Sequence, residues 1–464
     1  MSTTGPRATI AAASLAAGRA GPMSGALLRR NLTLAEAVAD ARARYAARRP
    51  ESAAIHAAAR GTLSGGNTRS VLFYKPFPMA MERGEGCWLW DVDGHRYLDL
   101  CGEYTAGLLG HTDARIAAAA HRALAGGINL AGVGRAEGAF AAAMRDRFPM
   151  LERLRFTNSG TEANLMALAA ARAFTGRATV MAFSGGYHGG VLNYASGANP
   201  VNLPVPTILA PYNDMDATRA LLREKGDELA AVLVEPMLGS GGCIPAAPGF
   251  LAMLREETTR CGAVLICDEV MTSRHGRSGG AALAGVRPDL ATFGKWIAGG
   301  LTAGAFGGRE AVMSVFDSHR EGSLMHAGTF NNNVLSMAAG PVTLTEAYTA
   351  SRAEELFRFG EALRARLNAA LASAGVPAVF AGMGSMMTIH FRDRLPDRPY
   401  TETSGQAALR ELFFFDMLEA GIYLARRGMA ALSLPVGEAE AARYVEAISA
   451  FAAERGPLIA SLRG

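Results

Sequence analysis

The sequence predicts an α/β fold, with a mostly parallel central sheet in a large domain joined to a smaller α+β domain made from both chain ends. Three observations carry that expectation. Short runs at residues 230–234, 263–267 and 290–293 have strand length and are almost wholly apolar, as in strands covered on both faces. Helical stretches alternate with them, which is the βαβ rhythm of a parallel sheet. From about Pro341 the character changes to long Ala/Arg/Glu/Leu helices around short strands.

Taken in order, residues 32–58 read as one helix with Thr33 as N-cap, because Leu34, Val38, Ala41 and Tyr45 recur at helical spacing. A glycine-rich turn follows, and Arg69 is placed where loop becomes strand; its bland reading is a solvated arginine. Asp93-Gly94 between alternating apolar residues marks a hairpin. Helices are expected at about 112–125 and 135–147. Residues 154–157 end a strand, Asn158-Ser159-Gly160-Thr161 turns, and an amphipathic helix runs over 162–174. Such a unit gathers backbone N–H groups, two hydroxyls and the positive end of a helix around one point, an anion cup. A capping box from Ser159 and Glu162 has the same appearance.

The strand at 178–183 opens onto Ser-Gly-Gly-Tyr-His-Gly-Gly, whose glycines let backbone approach a ligand closely. Tyr187 there has the shape to stack on a flat ligand, or merely to pack, with His188 beside it. The run 230–234 ends at Glu235, a helix is expected at 248–260, and the next strand ends at Asp268. The run 290–293 ends at Lys295, so two parallel strands deliver an acid and an amine to one sheet edge, where open α/β sheets bind ligands. Thr302 to Gly308 reads as a further strand with a glycine exit, and Thr329 with three asparagines as a polar turn before a helix. Helices at 353–374, 406–420 and 438–454 are expected around strands at 384–391 and 429–434. Arg426-Arg427-Gly428 precedes the last of these.

Lys295 is one of only three lysines, with Lys75 and Lys225, in a chain whose other basic groups are arginines. Imine formation with a carbonyl needs an amine and cannot use a guanidinium. A surface lysine at a strand end is the bland reading. Pairing with a buried carboxylate is what pyridoxal phosphate (PLP) requires, because the acid keeps the ring nitrogen protonated.

Composition bounds the rest. The 464 residues allow a large core and carry a spread net charge of +4, with no basic block suited to nucleic acid. Five cysteines without a CxxC pair read as reduced thiols, and nine scattered histidines show no metal-ligand spacing. No stretch is apolar enough to span a bilayer. Residues 1–30, with an Ala-rich run after Arg7, read as a disordered extension, with Met23 as an alternative start; a cytoplasmic location is the default.

Together the pieces FTNSGTEANLMAL, FSGGYHGG, VLVEPM, LICDEVMTSR, FGKWIAGG and GTFNNNVLSMAAG, in that order, resemble the class III (ω) aminotransferases, PLP enzymes of fold type I. NTRSVLFY, GEYTAGLLGH, SGGYHGGVL and GTFNNN are similar to the β-amino-acid aminotransferases of the β-phenylalanine type, a group close to glutamate-1-semialdehyde aminomutase. The resemblance implies a division into residues 31–100 and 341–464 as small domain and 101–340 as large domain. It implies Lys295 as the cofactor-bearing, proton-shuttling amine and Asp268 on the ring nitrogen, with Val270 under the ring and Tyr187 stacked on it. Ser159, Gly160 and Thr161 would bind the phosphate, with Thr329 from a second subunit, hence a homodimer; His188 and Glu235 would line the site. Arg69 would take the carboxylate of a β-amino acid and Arg427 that of a 2-oxo acid such as 2-oxoglutarate or pyruvate, with Arg426 its confusable neighbour. The family-like Ser-Pro-Arg-Gly stands here as Ala425-Arg426-Arg427-Gly428. The implied reaction is ping-pong transamination through pyridoxamine phosphate. The rivals are an aminomutase, an ω-amine or α-amino-acid transaminase, and a PLP-fold protein without catalysis.

Overall fold

A computed structural model describes residues 33–195 and 199–462. The expected extension at 1–30 lies outside the described residues. At the centre is a seven-stranded sheet: β1 (Arg153–Thr157), β2 (Thr179–Phe183), β3 (Thr207–Ala210), β4 (Leu229–Val234), β5 (Val264–Asp268), β6 (Leu290–Gly294) and β7 (Gly304–Gly308). Their spatial order is β1-β7-β6-β5-β4-β2-β3. Six strands run parallel, and β7 lies antiparallel between β1 and β6.

The continuous apolar runs are explained by what covers them. On β4 and β5, Val232, Val234, Leu265 and Cys267 face Phe250, Leu251 and Leu254 of the helix Phe250–Cys261. The alternate residues Ala231, Leu233, Val264 and Ile266 face Ala163, Ala167 and Ala171 of the helix Gly160–Thr175. Successive strand side chains point to opposite faces, so a strand with helices on both sides needs apolar residues at every position. Truncating one of these buried leucines to alanine costs about 2–5 kcal/mol.

The two chain ends meet around smaller sheets. The hairpin Trp88–Asp91 and Arg96–Asp99 pairs outward with Met81–Glu85 and inward with Ile422–Tyr423. Val379–Met383, Met386–His390 and Met429–Ala431 form a three-stranded sheet beside the helices Ala350–Ser373, Ser404–Glu419 and Glu438–Ser461. The helix Leu34–Ala47 lies on Ser404–Glu419, with Tyr45 and Phe415 ring centroids 5.3 Å apart and Arg42 Nε donating to Glu411 at 2.7 Å.

Two expectations are corrected. The single helix over 32–58 is two, Leu34–Ala47 and Pro50–Ala59. Pro50 has no N–H for the preceding turn and instead starts the second helix, where that donor is not needed. Arg69 precedes not a strand but the 3-10 turn Ser70–Leu72.

Candidate active site

Every singled-out residue of the large sheet emerges at the C-terminal edge of its parallel strands. Ser159 follows β1, Tyr187 and His188 follow β2, Glu235 follows β4, Asp268 ends β5 and Lys295 follows β6. That edge is where helix N-termini and strand ends leave a crevice in open α/β sheets.

The cup after β1 is built by close backbone approach. Ser159 caps the helix, its Oγ accepting from Glu162 N–H at 3.2 Å. Glu162 reaches past the cap to Asn158 N–H at 2.9 Å, so the capping-box alternative is met only in part, with its return bond shifted by one residue. A Cβ on Gly160 would stand 2.6 Å from Val270, and one on Gly294 would stand 3.0 Å from Gly160 N. A Cβ on Gly189 would overlap Thr161. Only glycine lets the Ser159–Thr161 turn, the β6 end and the Tyr187 loop converge on one point. The geometry fits the phosphate of PLP, because N–H groups at a helix N-terminus point outward there.

Asp268 is held from three sides. It is 4% exposed, and Oδ2 accepts from Asn164 Nδ2 at 2.8 Å and lies 2.8 Å from His188 Nδ1. Its Oδ1 accepts from Val270 N–H at 3.0 Å. Asn164 is fixed in turn: its Nδ2 donates to His188 O at 3.0 Å and its Oδ1 accepts from Thr292 at 2.7 Å. His188 therefore sits behind Asp268 rather than facing the crevice, whereas Tyr187 remains 38% exposed and free to cover a planar ring.

Glu235 is buried, with Tyr187 N–H and Gly239 N–H each donating to one carboxyl oxygen at 2.9 Å. Burial pushes its pKa above the usual carboxylate range; His188 opposes the rise and Asp268 adds to it. Lys295 has φ of 58°, in the left-handed region that costs a residue with a Cβ about 1–2 kcal/mol. Such strain persists only where the surrounding structure holds it in place. Burial pulls its amine below the usual lysine range; Asp268 and Glu235 oppose the drop, and Arg427 and Arg69 add to it.

The two arginines converge on a ring that sequence reasoning missed. Tyr104 has Arg69 Cζ 5.4 Å and Arg427 Cζ 5.2 Å from its centroid, and both line one cluster above the strand ends. Glu103 forms an ion pair with Arg69. Arg427 Nη2 contacts Met429 Sδ at 2.9 Å, and its buried Nε has no partner among the described residues. Arg426 donates across to Phe73 O at 3.4 Å. A cavity of about 250 Å³ opens between Ser70, Val71, Phe73 and Tyr104 on one wall and the two neighbouring arginines on the other. Thr329 is exposed on the chain surface, and its turn is tied to the cup by Asn158 Nδ2 donating to Asn331 at 3.0 Å.

Asn164 and Thr292 also escaped the sequence reading. The signal for Asn164 was present, since a polar residue on the apolar face of the helix needs buried partners.

Residues 73–450 match the family model of the class III aminotransferases. The chain is 50% identical over 426 residues to a β-phenylalanine transaminase of Variovorax paradoxus, covering 91% of this chain and 98% of that one. It is 36% identical to a glutamate-1-semialdehyde 2,1-aminomutase of Heliobacterium modesticaldum, over 80% of this chain and 89% of that one. A solved β-phenylalanine aminotransferase from Variovorax paradoxus superposes with a TM-score of 0.90 at 49% identity, over 92% of this chain and 99% of that one. The match over residues 73–450 and the relatives that cover nearly the whole chain show that it belongs to the PLP-dependent class III aminotransferases.

Proposed function

We propose that this aminotransferase takes its amino group from a β-amino acid of the 3-amino-3-phenylpropanoate type and passes it to a 2-oxo acid such as 2-oxoglutarate or pyruvate. The observation that carries the reading is the pair of guanidiniums, Arg69 and Arg427, both against the Tyr104 ring and both acting on the Lys295 amine. Both substrates bear a carboxylate, and a guanidinium binds one bidentately. Arg69 would receive the donor carboxylate and Arg427 the acceptor's, while Arg426 is engaged with Phe73 O. The 50% identical relative bears the name of this activity.

In the same reading Ser159, Gly160 and Thr161 hold the phosphate, Tyr187 and Val270 cover the ring faces, and Asp268 pairs with the ring nitrogen. Bound PLP supplies an electron sink for the negative charge left when the amine-bearing carbon loses its proton. Lys295 moves that proton. The lowered pKa of its amine keeps more of it in the proton-accepting form near neutral pH than an ordinary lysine would have. Asn164 and His188 lock Asp268 in place, and Glu235 anchors the backbone of the Tyr187 loop.

A homodimer belongs to this proposal. Val133 is 90% and Met325 87% exposed, with Ile128, Leu130 and Phe330 open nearby. Asn332 Nδ2 donates to Gly132 O at 3.3 Å and joins these segments into one apolar face that carries Thr329. Covering that face with a second copy would bring Thr329 to the partner's phosphate cup. The domain division at about residues 101 and 341 is supported by the separate small sheets. A cytoplasmic location is supported by five free, buried cysteines.

The test is purified enzyme with PLP and DL-3-amino-3-phenylpropanoate, with and without 2-oxoglutarate. Glutamate formed only with both substrates is the expected result. Turnover of an amino aldehyde without any acceptor would instead mark an aminomutase.

A further inference from the structure

The residues 102–105 form an unusual turn. Gly102, Glu103, Tyr104 and Thr105 have φ of 52°, 46°, 53° and 85°, four successive left-handed residues of which only one is glycine. Each non-glycine member costs about 1–2 kcal/mol, so the surrounding structure must hold the turn for what it presents. It presents two side chains. Tyr104 packs against both guanidiniums, and Glu103 pairs with Arg69 alone.

The consequence is an electrical inequality between two otherwise similar groups. Glu103 contacts Nη1 of Arg69, which leaves the Nε–Nη2 edge without a hydrogen-bond partner among the described residues. Arg427 has no carboxylate partner among the described residues and meets only the Met429 thioether and the Tyr104 ring. One arginine is a neutralised pair and the other a bare cation.

We propose that Glu103 is a specificity-determining residue that competes with substrate carboxylates for Arg69, making Arg69 the weaker receptor and Arg427 the stronger. The proposal deepens the β-amino-acid reading above and rests on its assignment of both arginines. A monocarboxylate acceptor such as pyruvate needs only Arg427. A five-carbon dicarboxylate such as 2-oxoglutarate presents a second carboxylate, and both guanidiniums lie against one ring, within its reach. That second carboxylate must share Arg69 with Glu103. The enzyme is therefore biased toward monocarboxylate acceptors relative to what its two arginines alone would give.

Glu103→Gln removes the charge and keeps an oxygen that can accept from Arg69. Glu103→Asn gives the same neutrality in a residue that takes the left-handed conformation readily, should the first variant fold poorly. The acceptor half-reaction is started from enzyme loaded with pyridoxamine phosphate, so it is read whatever the donor. The ratio of kcat/KM for 2-oxoglutarate to that for pyruvate is expected to rise about two- to fivefold, the scale of an exposed ion pair. The rise should come through KM and vanish in an Arg69→Ala background. Calorimetry with the holoenzyme should show the same shift in glutarate affinity relative to butyrate. An unchanged or lowered ratio in both variants overturns the proposal. If Arg69→Ala itself leaves the donor KM unchanged, it is the assignment of Arg69 that fails, and Glu103 has nothing to compete for.

Discussion

The Nδ2 of Asn164 donates to Asp268 Oδ2 at 2.8 Å, and this amide has all of its bonds inside the protein. One helix residue thereby fixes an acid on β5, the His188 carbonyl after β2 and the Thr292 hydroxyl on β6. Hydrogen bonds to a charged group contribute about 1.5–3 kcal/mol. Asn164→Ala should weaken PLP affinity about ten- to hundredfold, read from cofactor titration. An unchanged affinity would show that Asp268 is held by His188 and Val270 alone.

Lys295→Ala should lower the transamination rate by about a thousandfold or more, because no other amine is placed to move the proton. Its fold should persist, since the residue is an edge group and not a core one. Lys295→Gly should be about 1 kcal/mol more stable than Lys295→Ala, because glycine accepts a φ of 58° without a Cβ clash. Thermal denaturation of the two variants without cofactor reads this difference directly.

Arg427→Ala should raise the 2-oxo acid KM by about ten- to hundredfold through loss of a charge-assisted pair. Arg426→Ala should change it less than about twofold, as that side chain bonds to Phe73 O instead. Steady-state kinetics on both variants decides between the neighbours.

Glu235 gives a pH signature. Its folded pKa is raised, so its protonated form is favoured by folding. The stability it contributes is complete below the unfolded value of 4.5 and is lost as pH rises through the folded value. The stability of the cofactor-free enzyme relative to that of Glu235→Gln should therefore fall as pH rises from about 4.5 towards neutrality. Parallel curves over that window would mean that Glu235 ionises normally.

The central sheet was legible because strands buried on both faces announce themselves as apolar runs, and because acid, amine and hydroxyl groups end those runs. Lys295, Asp268, Glu235 and the Ser159 cup could be read from that pattern alone. Asn164 was not read, because its partners lie on three other strands or loops and no local spacing records them. Tyr104 and Glu103 were hidden for another reason. Nothing in Gly-Glu-Tyr-Thr signals four left-handed residues, which exist only because tertiary contacts hold them. Pro50, by contrast, was in plain view as a helix breaker.

The antiparallel strand β7 also sets a sequence of events during synthesis. Among the described residues β1 pairs only with β7, which lies far later in the chain, so that edge of β1 stays unsatisfied until residue 308 has left the ribosome. The helix that follows β1 and carries the anion cup has no finished sheet to rest on before then. Lys295 emerges just ahead of β7, so the amine and the cup are brought together by the same late insertion. A nascent chain stalled before Gly304 would have all six parallel strands and still hold no cofactor.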